Sequence, residues 1–194
     1  MLAVAIVLFN VLLPSGDHGF MEAACGEIRV PPGAFPLVLA IDESAADWTP
    51  ELTAAVRRWE ELAGGDLFDV RPAVSGEAAM FARAIAGTGP EPKGVVLVSA
   101  ADVPGLGEET DNPHARVRWD TKTCAIGWGV IRFPTVLADP DARRRAAEHE
   151  AGHVAGLDHD EIGSSVMAPN GGKEGAKPTD ADARRFFSPS KPAS

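Results

Sequence analysis

Tyrosine is absent from this chain, cysteine occurs only twice and histidine only five times. With no phenol anywhere, no step of any chemistry the chain performs can use a tyrosine hydroxyl. Positive charge is also scarce: 18 Lys and Arg stand against 28 Asp and Glu, a net charge of −10. That balance argues against nucleic acid as a partner, because phosphate contacts need clustered Lys and Arg. No apolar stretch approaches the roughly 20 residues needed to span a bilayer, so no stable membrane span is expected. What remains is ordinary for a globular protein: 194 residues, 45% apolar and 24% charged, enough for one domain with its own core.

The N-terminus supports several readings. Leu2 to Leu13 is apolar enough for the core of an export leader. Yet no Lys or Arg precedes it, and Asp17 and Glu22 interrupt the region where a small-residue cleavage site belongs. Ala23-Ala24-Cys25 is a loose lipoprotein-like box, with Glu22 where an apolar residue is needed. A buried strand, or translation starting at Met21, are the other readings. An exported leader places the protein outside the cell or on its surface; the other readings leave a cytoplasmic location open. Cys25 and Cys124 allow one disulfide, which suits export, or stand as two independent thiols.

The informative stretch is His149-Glu150-Ala151-Gly152-His153-Val154-Ala155-Gly156-Leu157-Asp158-His159. Histidines four apart lie on one face of a helix, where both imidazoles reach a single ion. Glu150 projects beside that ion and can act as a base toward a metal-bound water. Gly156 lets the chain leave the helix in a left-handed conformation, and His159 can then return as a third nitrogen ligand. With five histidines, fourteen glutamates and twenty glycines in the chain, chance supplies these five fixed positions on the order of 2 times in 100,000. A second signature, Ser164-Ser165-Val166-Met167-Ala168-Pro169, follows shortly afterwards.

Together these segments resemble the metzincin zinc proteases, HExxHxxGxxH followed by a Met-turn. Gly156-Leu157-Asp158-His159 and Met167-Ala168-Pro169 look like the matrixin branch, whereas Asp160 directly after the third histidine is similar to the adamalysins. The resemblance implies an α+β fold: a twisted mixed β-sheet with an antiparallel edge strand, an active-site helix and a C-terminal helix. It places the catalytic domain at residues 25–188, after a leader or extension at 1–24 and before a flexible tail at 189–194. His149, His153 and His159 become the ligands of one catalytic Zn²⁺, Glu150 the general base and Met167 a hydrophobic floor rather than a ligand. Only His18 and His114 remain, so a second, structural zinc site built mainly from histidines is not expected. Matrixins also hold themselves latent with a propeptide cysteine on the zinc; Cys25-Gly26 has the cysteine but Ala24 before it in place of Arg and no Pro-Asp after it. The missing tyrosines exclude the tyrosine-assisted oxyanion stabilisation of astacins and serralysins, since Ala168-Pro169 follow Met167 instead.

The remaining elements follow from periodicity. Phe35 to Asp42 reads as a strand buried on both faces, and Phe68 to Val74 and Gly94 to Ser99 as two more. Thr49 caps a helix with Pro50 in its first position, Leu52, Ala55, Val56, Trp59 and Leu62 recurring at helical spacing until Gly64-Gly65. Trp48 and Trp59 read as packing residues, and Ala78 to Ala86 as a short helix. From Ala100 to Asn112 the chain is loop-like; Asp102, Glu108, Glu109, Asp111 and Asn112 offer hard oxygen ligands for Ca²⁺, but without a fixed spacing they read as a solvated acidic loop. Ala115 to Asp120 and Cys124 to Phe133 read as a hairpin or two successive strands. In metzincins an edge strand ahead of the active-site helix binds substrate as an added strand, which points to the neighbourhood of Ala125, Ile126, Gly127 and Trp128.

Asp139 caps the histidine helix, Pro140 takes its first position and Asp141 favours the positive end of its dipole. Arg143-Arg144-Arg145, set among acids, reads as a solvated face. Gly152 costs about 1 kcal/mol inside a helix, which close packing against the Met-turn would explain. Asp158 or Asp160 is placed to orient a ligand or a neighbouring loop. Asn170 to Lys177 reads as mobile, and Thr179 to Phe187 as a capped C-terminal helix. The expected activity is a monomeric zinc endopeptidase acting on protein or peptide substrates. Its alternative is a non-catalytic, zinc-stabilised interaction protein.

Overall fold

The computed structural model describes residues 30, 32–101, 112–119, 125–160 and 164–187. Cys25 and Cys124, residues 1–24 and 189–194, and four of the five candidate calcium ligands (Asp102, Glu108, Glu109 and Asp111) lie outside the described residues. Five strands form one sheet: β1 (Leu37–Ile41), β2 (Phe68–Pro72), β3 (Val95–Ser99), β4 (His114–Trp119) and β5 (Ile126–Arg132), in the order β2-β1-β3-β5-β4. β1 runs parallel to β2 and β3, and β3 parallel to β5. β4 alone is antiparallel, with Arg116 opposite Val130 and Ala115 opposite Ile131 on β5.

Four helices accompany the sheet among the described residues: α1 (Thr49–Ala63), α2 (Glu77–Ile85), α3 (Pro140–Val154) and α4 (Asp180–Phe187). Alternation along the strands divides their side chains between two cores. Leu37, Leu39, Ile41, Val96, Val98 and Ile131 pack with Leu52 and Trp59 of α1 and Ala147 and Ala151 of α3. On the opposite face Leu97, Trp128 and Val130 meet Phe81 of α2, its ring edge-on to Trp128 at 5.7 Å. The fold is therefore mixed α+β with a mostly parallel sheet covered on both faces. No helix among the described residues is long and apolar enough to cross a membrane.

Trp48 and Trp59 are packing residues as expected. Trp48 stacks on Phe133 at 4.0 Å, and Trp59 meets Phe186 edge-on while its indole N–H donates to the Glu148 carbonyl at 2.8 Å. Thr49 does not cap α1. Asp42 starts an earlier 3-10 turn over Glu43–Trp48 by accepting the Ser44 N–H, so Thr49 is already helical and its hydroxyl donates back to the Ala46 carbonyl. Gly64, at φ 72°, ends the helix as predicted.

A second correction concerns the sheet edge. Residues 126–128 belong to β5, which lies between β3 and β4; the antiparallel edge strand is β4. The alternation of apolar residues marks both arms of the hairpin, but which arm faces outward depends on β3, which pairs with Gly129–Arg132 of β5.

Candidate metal centre

Local capping starts the helix that carries the site. Asp139 Oδ2 accepts the Ala142 N–H at 2.8 Å, and Pro140 fills the first turn, where its missing donor costs nothing. The three arginines after it are not a solvated face. Arg143 donates to Glu51 Oε1 at 2.5 Å and to the Asp47 carbonyl at 2.6 Å while its guanidinium lies 4.1 Å above the Trp48 ring. Arg144 bridges Asp141, Glu148 and the Ala176 carbonyl, and Arg145 pairs with Asp141. This run clamps α3 to α1 and to the segment after Met167. Composition could not show this, because the acceptors come from distant parts of the chain. Glu148 is buried in the cluster; desolvation raises its carboxyl above the ordinary range, against the pull of Arg144 and Arg58.

One turn further on, His149 and His153 point the same way. Gly156 follows the helix at φ 96°, and its N–H bonds the His153 carbonyl while Leu157 N–H bonds the Gly152 carbonyl. This turn reverses the chain and returns His159. The three Nε2 atoms converge, with separations of 3.0 Å (His149–His153), 3.2 Å (His153–His159) and 3.2 Å (His149–His159).

Protons decide what that cluster can hold. His149 Nδ1 stands 2.7 Å from the Val166 carbonyl and His153 Nδ1 2.8 Å from the Leu157 carbonyl. A carbonyl only accepts, so each Nδ1 carries the hydrogen, and in the neutral imidazole each Nε2 then presents a bare lone pair. Two such lone pairs facing each other at 3.0 Å repel unless a positive charge lies between them. Tetrahedral nitrogen ligands about 2.0–2.1 Å from a metal stand about 3.3 Å apart, close to the spacings here. His149, His153 and His159 fit a metal ion, and they are the group among the described residues that can hold one.

Glu150, beside the first ligand, is 3% exposed. Burial pushes its carboxyl up to about 8, opposed only by a backbone hydrogen bond from Ala115 on β4, and its Oε2 has no partner. A carboxylate so placed holds or gives up a proton near neutral pH.

Met167 is fully buried against Gly152 of α3. Ser165 and Asp182 hold this turn: the Met167 N–H donates to Ser165 Oγ at 2.9 Å, and Ser165 Oγ donates to Asp182 Oδ2 at 2.9 Å. Asp182 Oδ2 also accepts from the N–H and hydroxyl of Thr179, whose oxygen accepts the Asp182 N–H in return, a reciprocal cap on α4. Sequence reasoning found Thr179 as a cap but missed Asp182; a Thr-x-x-Asp spacing ahead of the last helix was the available signal. Asp158 orients the ligand strand, its Oδ1 accepting the His159 N–H at 2.7 Å, and Asp160 N–H bonds the Met167 carbonyl at 2.9 Å. The segment Asn170 to Lys177 is tied down rather than mobile. Val166 N–H bonds the Lys177 carbonyl, Ser165 and Lys177 form a parallel bridge, and Gly172 lies so close to the Ser165 carbonyl that a β-carbon would stand 2.5 Å away. Gly172 serves close backbone approach, and Gly171 and Gly175 turns of positive φ, which composition alone does not distinguish from flexibility.

Compared with known proteins, the chain matches no protein-family model and no curated protein. The case for a metal centre rests on the histidine geometry and on the sheet and helix that position it.

Proposed function

We propose that the chain is a zinc-dependent endopeptidase of the metzincin type. The observation that carries this reading is the convergence of three imidazole nitrogens within 3.2 Å of one another; Glu150, next in sequence to His149, adds a buried, half-partnered carboxyl. Three nitrogen ligands favour zinc and leave a fourth position open, the arrangement of a catalytic rather than a structural site. A zinc ion bound there supplies Lewis-acid polarisation of a water and of a substrate carbonyl.

The chain's own residues do the rest. Val166 and Leu157 carbonyls fix the tautomers of His149 and His153, so that both Nε2 atoms face the metal position. Glu150 takes the proton of the attacking water at its carboxylate and gives it to the leaving amine. Its buried position keeps bulk water from competing for that proton, and the Ala115 N–H holds the group in place. Met167 supplies an apolar base beneath the rings and no ligand.

Casein cleavage by purified protein, with zinc supplied and with chelator, tests this reading beside Glu150→Gln. The expected result is cleavage that needs zinc and falls at least 100-fold in Glu150→Gln, which keeps its zinc. Unchanged cleavage in that variant overturns the mechanism; one bound zinc per chain without cleavage favours a zinc-stabilised interaction protein.

A further inference from the structure

β4 reads His114-Ala115-Arg116-Val117-Arg118-Trp119. Ala115, Val117 and Trp119 pack against the main core. Alternation puts His114, Arg116 and Arg118 on the other face of the sheet, across from Arg132, Val130 and Trp128 of β5. A protein with net charge −10 thus carries three basic side chains at successive same-face positions on its outermost strand. Neither Arg116 nor Arg118 has an ion pair among the described residues. Burial and the adjacent Arg118 push the Arg116 guanidinium down from its ordinary value, and no carboxylate among the described residues offsets them. Cations so arranged repel each other and favour an anion from outside.

The backbone says how that anion arrives. The Arg116 carbonyl faces β5, 2.9 Å from where a β-carbon on Gly129 would stand, and the neighbouring Ala115 N–H faces the other way, to Glu150. In an antiparallel pair outward-turned residues alternate, so Val117 also presents its N–H and carbonyl outward, while Arg116 bonds inward to β5. A peptide added to this edge takes main-chain hydrogen bonds from the Val117 N–H and carbonyl and from the Ala115 carbonyl, the Ala115 N–H being held by Glu150, and its side chains at positions i and i+2 lie beside Arg116 and Arg118.

We propose that β4 docks an extended acidic peptide whose two carboxylates, separated by one residue, meet Arg116 and Arg118; this rests on the endopeptidase reading and names its substrate class. The edge leads directly to the catalytic carboxyl, so a peptide held there passes beside Glu150. Recognition works against the overall charge of the protein, which separates it from nonspecific attraction.

Fluorescence anisotropy on zinc-loaded Glu150→Gln protein tests it without cleavage interfering. Four labelled peptides differ only at three central residues: Glu-Thr-Glu, Glu-Glu-Thr, Gln-Thr-Gln and Lys-Thr-Lys. Glu-Thr-Glu is expected to bind about tenfold more tightly than Gln-Thr-Gln and more tightly than Glu-Glu-Thr, with Lys-Thr-Lys weakest. The preference should shrink in 0.5 M salt and vanish in Arg116→Gln/Arg118→Gln. Should the double variant fail to fold, Arg118→Gln, at an exposed position, is expected to reduce the preference about threefold. Equal affinity for all four peptides overturns the proposal, as does equal binding of Glu-Thr-Glu and Glu-Glu-Thr. Casein cleavage by the wild type alongside a flat peptide series removes the acidic preference and keeps the protease. Selective binding without any cleavage does the reverse.

Discussion

A β-carbon placed on Gly152 would stand 2.4 Å from the Met167 sulfur and 3.2 Å from the Trp59 ring. The Met167 side chain packs directly on the α3 backbone here, one residue before His153. Gly152→Ala sets two effects in opposition. Helix propensity alone gains about 1 kcal/mol. Overpacking a fully buried site costs about 1–3 kcal/mol, and Met167 has no solvent to move into. Net destabilisation of up to about 2 kcal/mol is expected by chemical denaturation. Met167→Ala in the same chain should relieve it, visible as a non-additive double-mutant cycle. A Gly152→Ala protein more stable than the wild type would show that the two elements are not in close contact.

Metal removal should weaken the fold as well as any activity. Three Nε2 atoms at 3.0–3.2 Å lose the charge that holds them together. At a free zinc concentration 1,000 times the dissociation constant, binding contributes about 4 kcal/mol of stability. Thermal unfolding with and without chelator should therefore differ by many degrees, and the difference should collapse in His153→Ala, which removes one of the three converging nitrogens. Equal melting temperatures for wild type and His153→Ala in saturating zinc would count against the triad as a metal centre.

Glu150 gives the metal-free protein a defined pH dependence. Burial raises its folded carboxyl to about 8, above the ordinary value near 4.5. Between those values the folded state holds a proton that the unfolded state has lost, so stability falls as pH rises through this window. Glutamine cannot ionise and lacks this slope. In chelator, Glu150→Gln should match the wild type within about 0.5 kcal/mol near pH 4 and exceed it by about 2–4 kcal/mol near pH 8.5. Urea titrations at both pH values measure the difference. Parallel stability curves for the two proteins would show that Glu150 does not ionise in a buried place.

The parts of this molecule written in local spacing were legible in the sequence. His149 and His153 four apart, Asp139-Pro140 at a helix start, Gly156 past its end and the apolar runs of β1 and β3 each act within one or two turns of their own element. Gly152 was legible too, because an unfavourable residue inside a helix asks for a packing reason. What stayed hidden depends on partners far away in the chain. Arg143 finds Glu51, 92 residues earlier, and Trp59 finds the Glu148 carbonyl, 89 residues later. Glu60, an unremarked helix residue, accepts both the Leu67 and Phe68 N–H groups at 3.1 Å and so fixes the entry to β2. The exchange of β4 and β5 at the sheet edge has the same cause: a strand's neighbours are chosen by the whole sheet.

Asp182 should matter more for the metal than its distance along the chain implies. It is fully buried, and its Oδ2 accepts from Ser165, from the Thr179 backbone and from the Thr179 hydroxyl. Ser165 in turn receives the Met167 N–H, and Val166 between them offers the carbonyl that orients His149. Asp182→Asn keeps the volume but replaces a charged acceptor with a neutral amide, one side of which donates where the aspartate accepted. Loss of about 2–3 kcal/mol is expected for breaking charge-assisted bonds at a buried site. If the path to His149 operates, zinc affinity should fall about 10-fold as well, measured by competition with a chromogenic chelator. Thr179→Ala separates the two effects: it removes one hydroxyl from the same carboxylate and the cap of α4 but leaves the Ser165–Asp182 bond in place. It should cost about 1 kcal/mol of stability with zinc affinity unchanged. Equal zinc affinity in Asp182→Asn and wild type would confine Asp182 to holding α4.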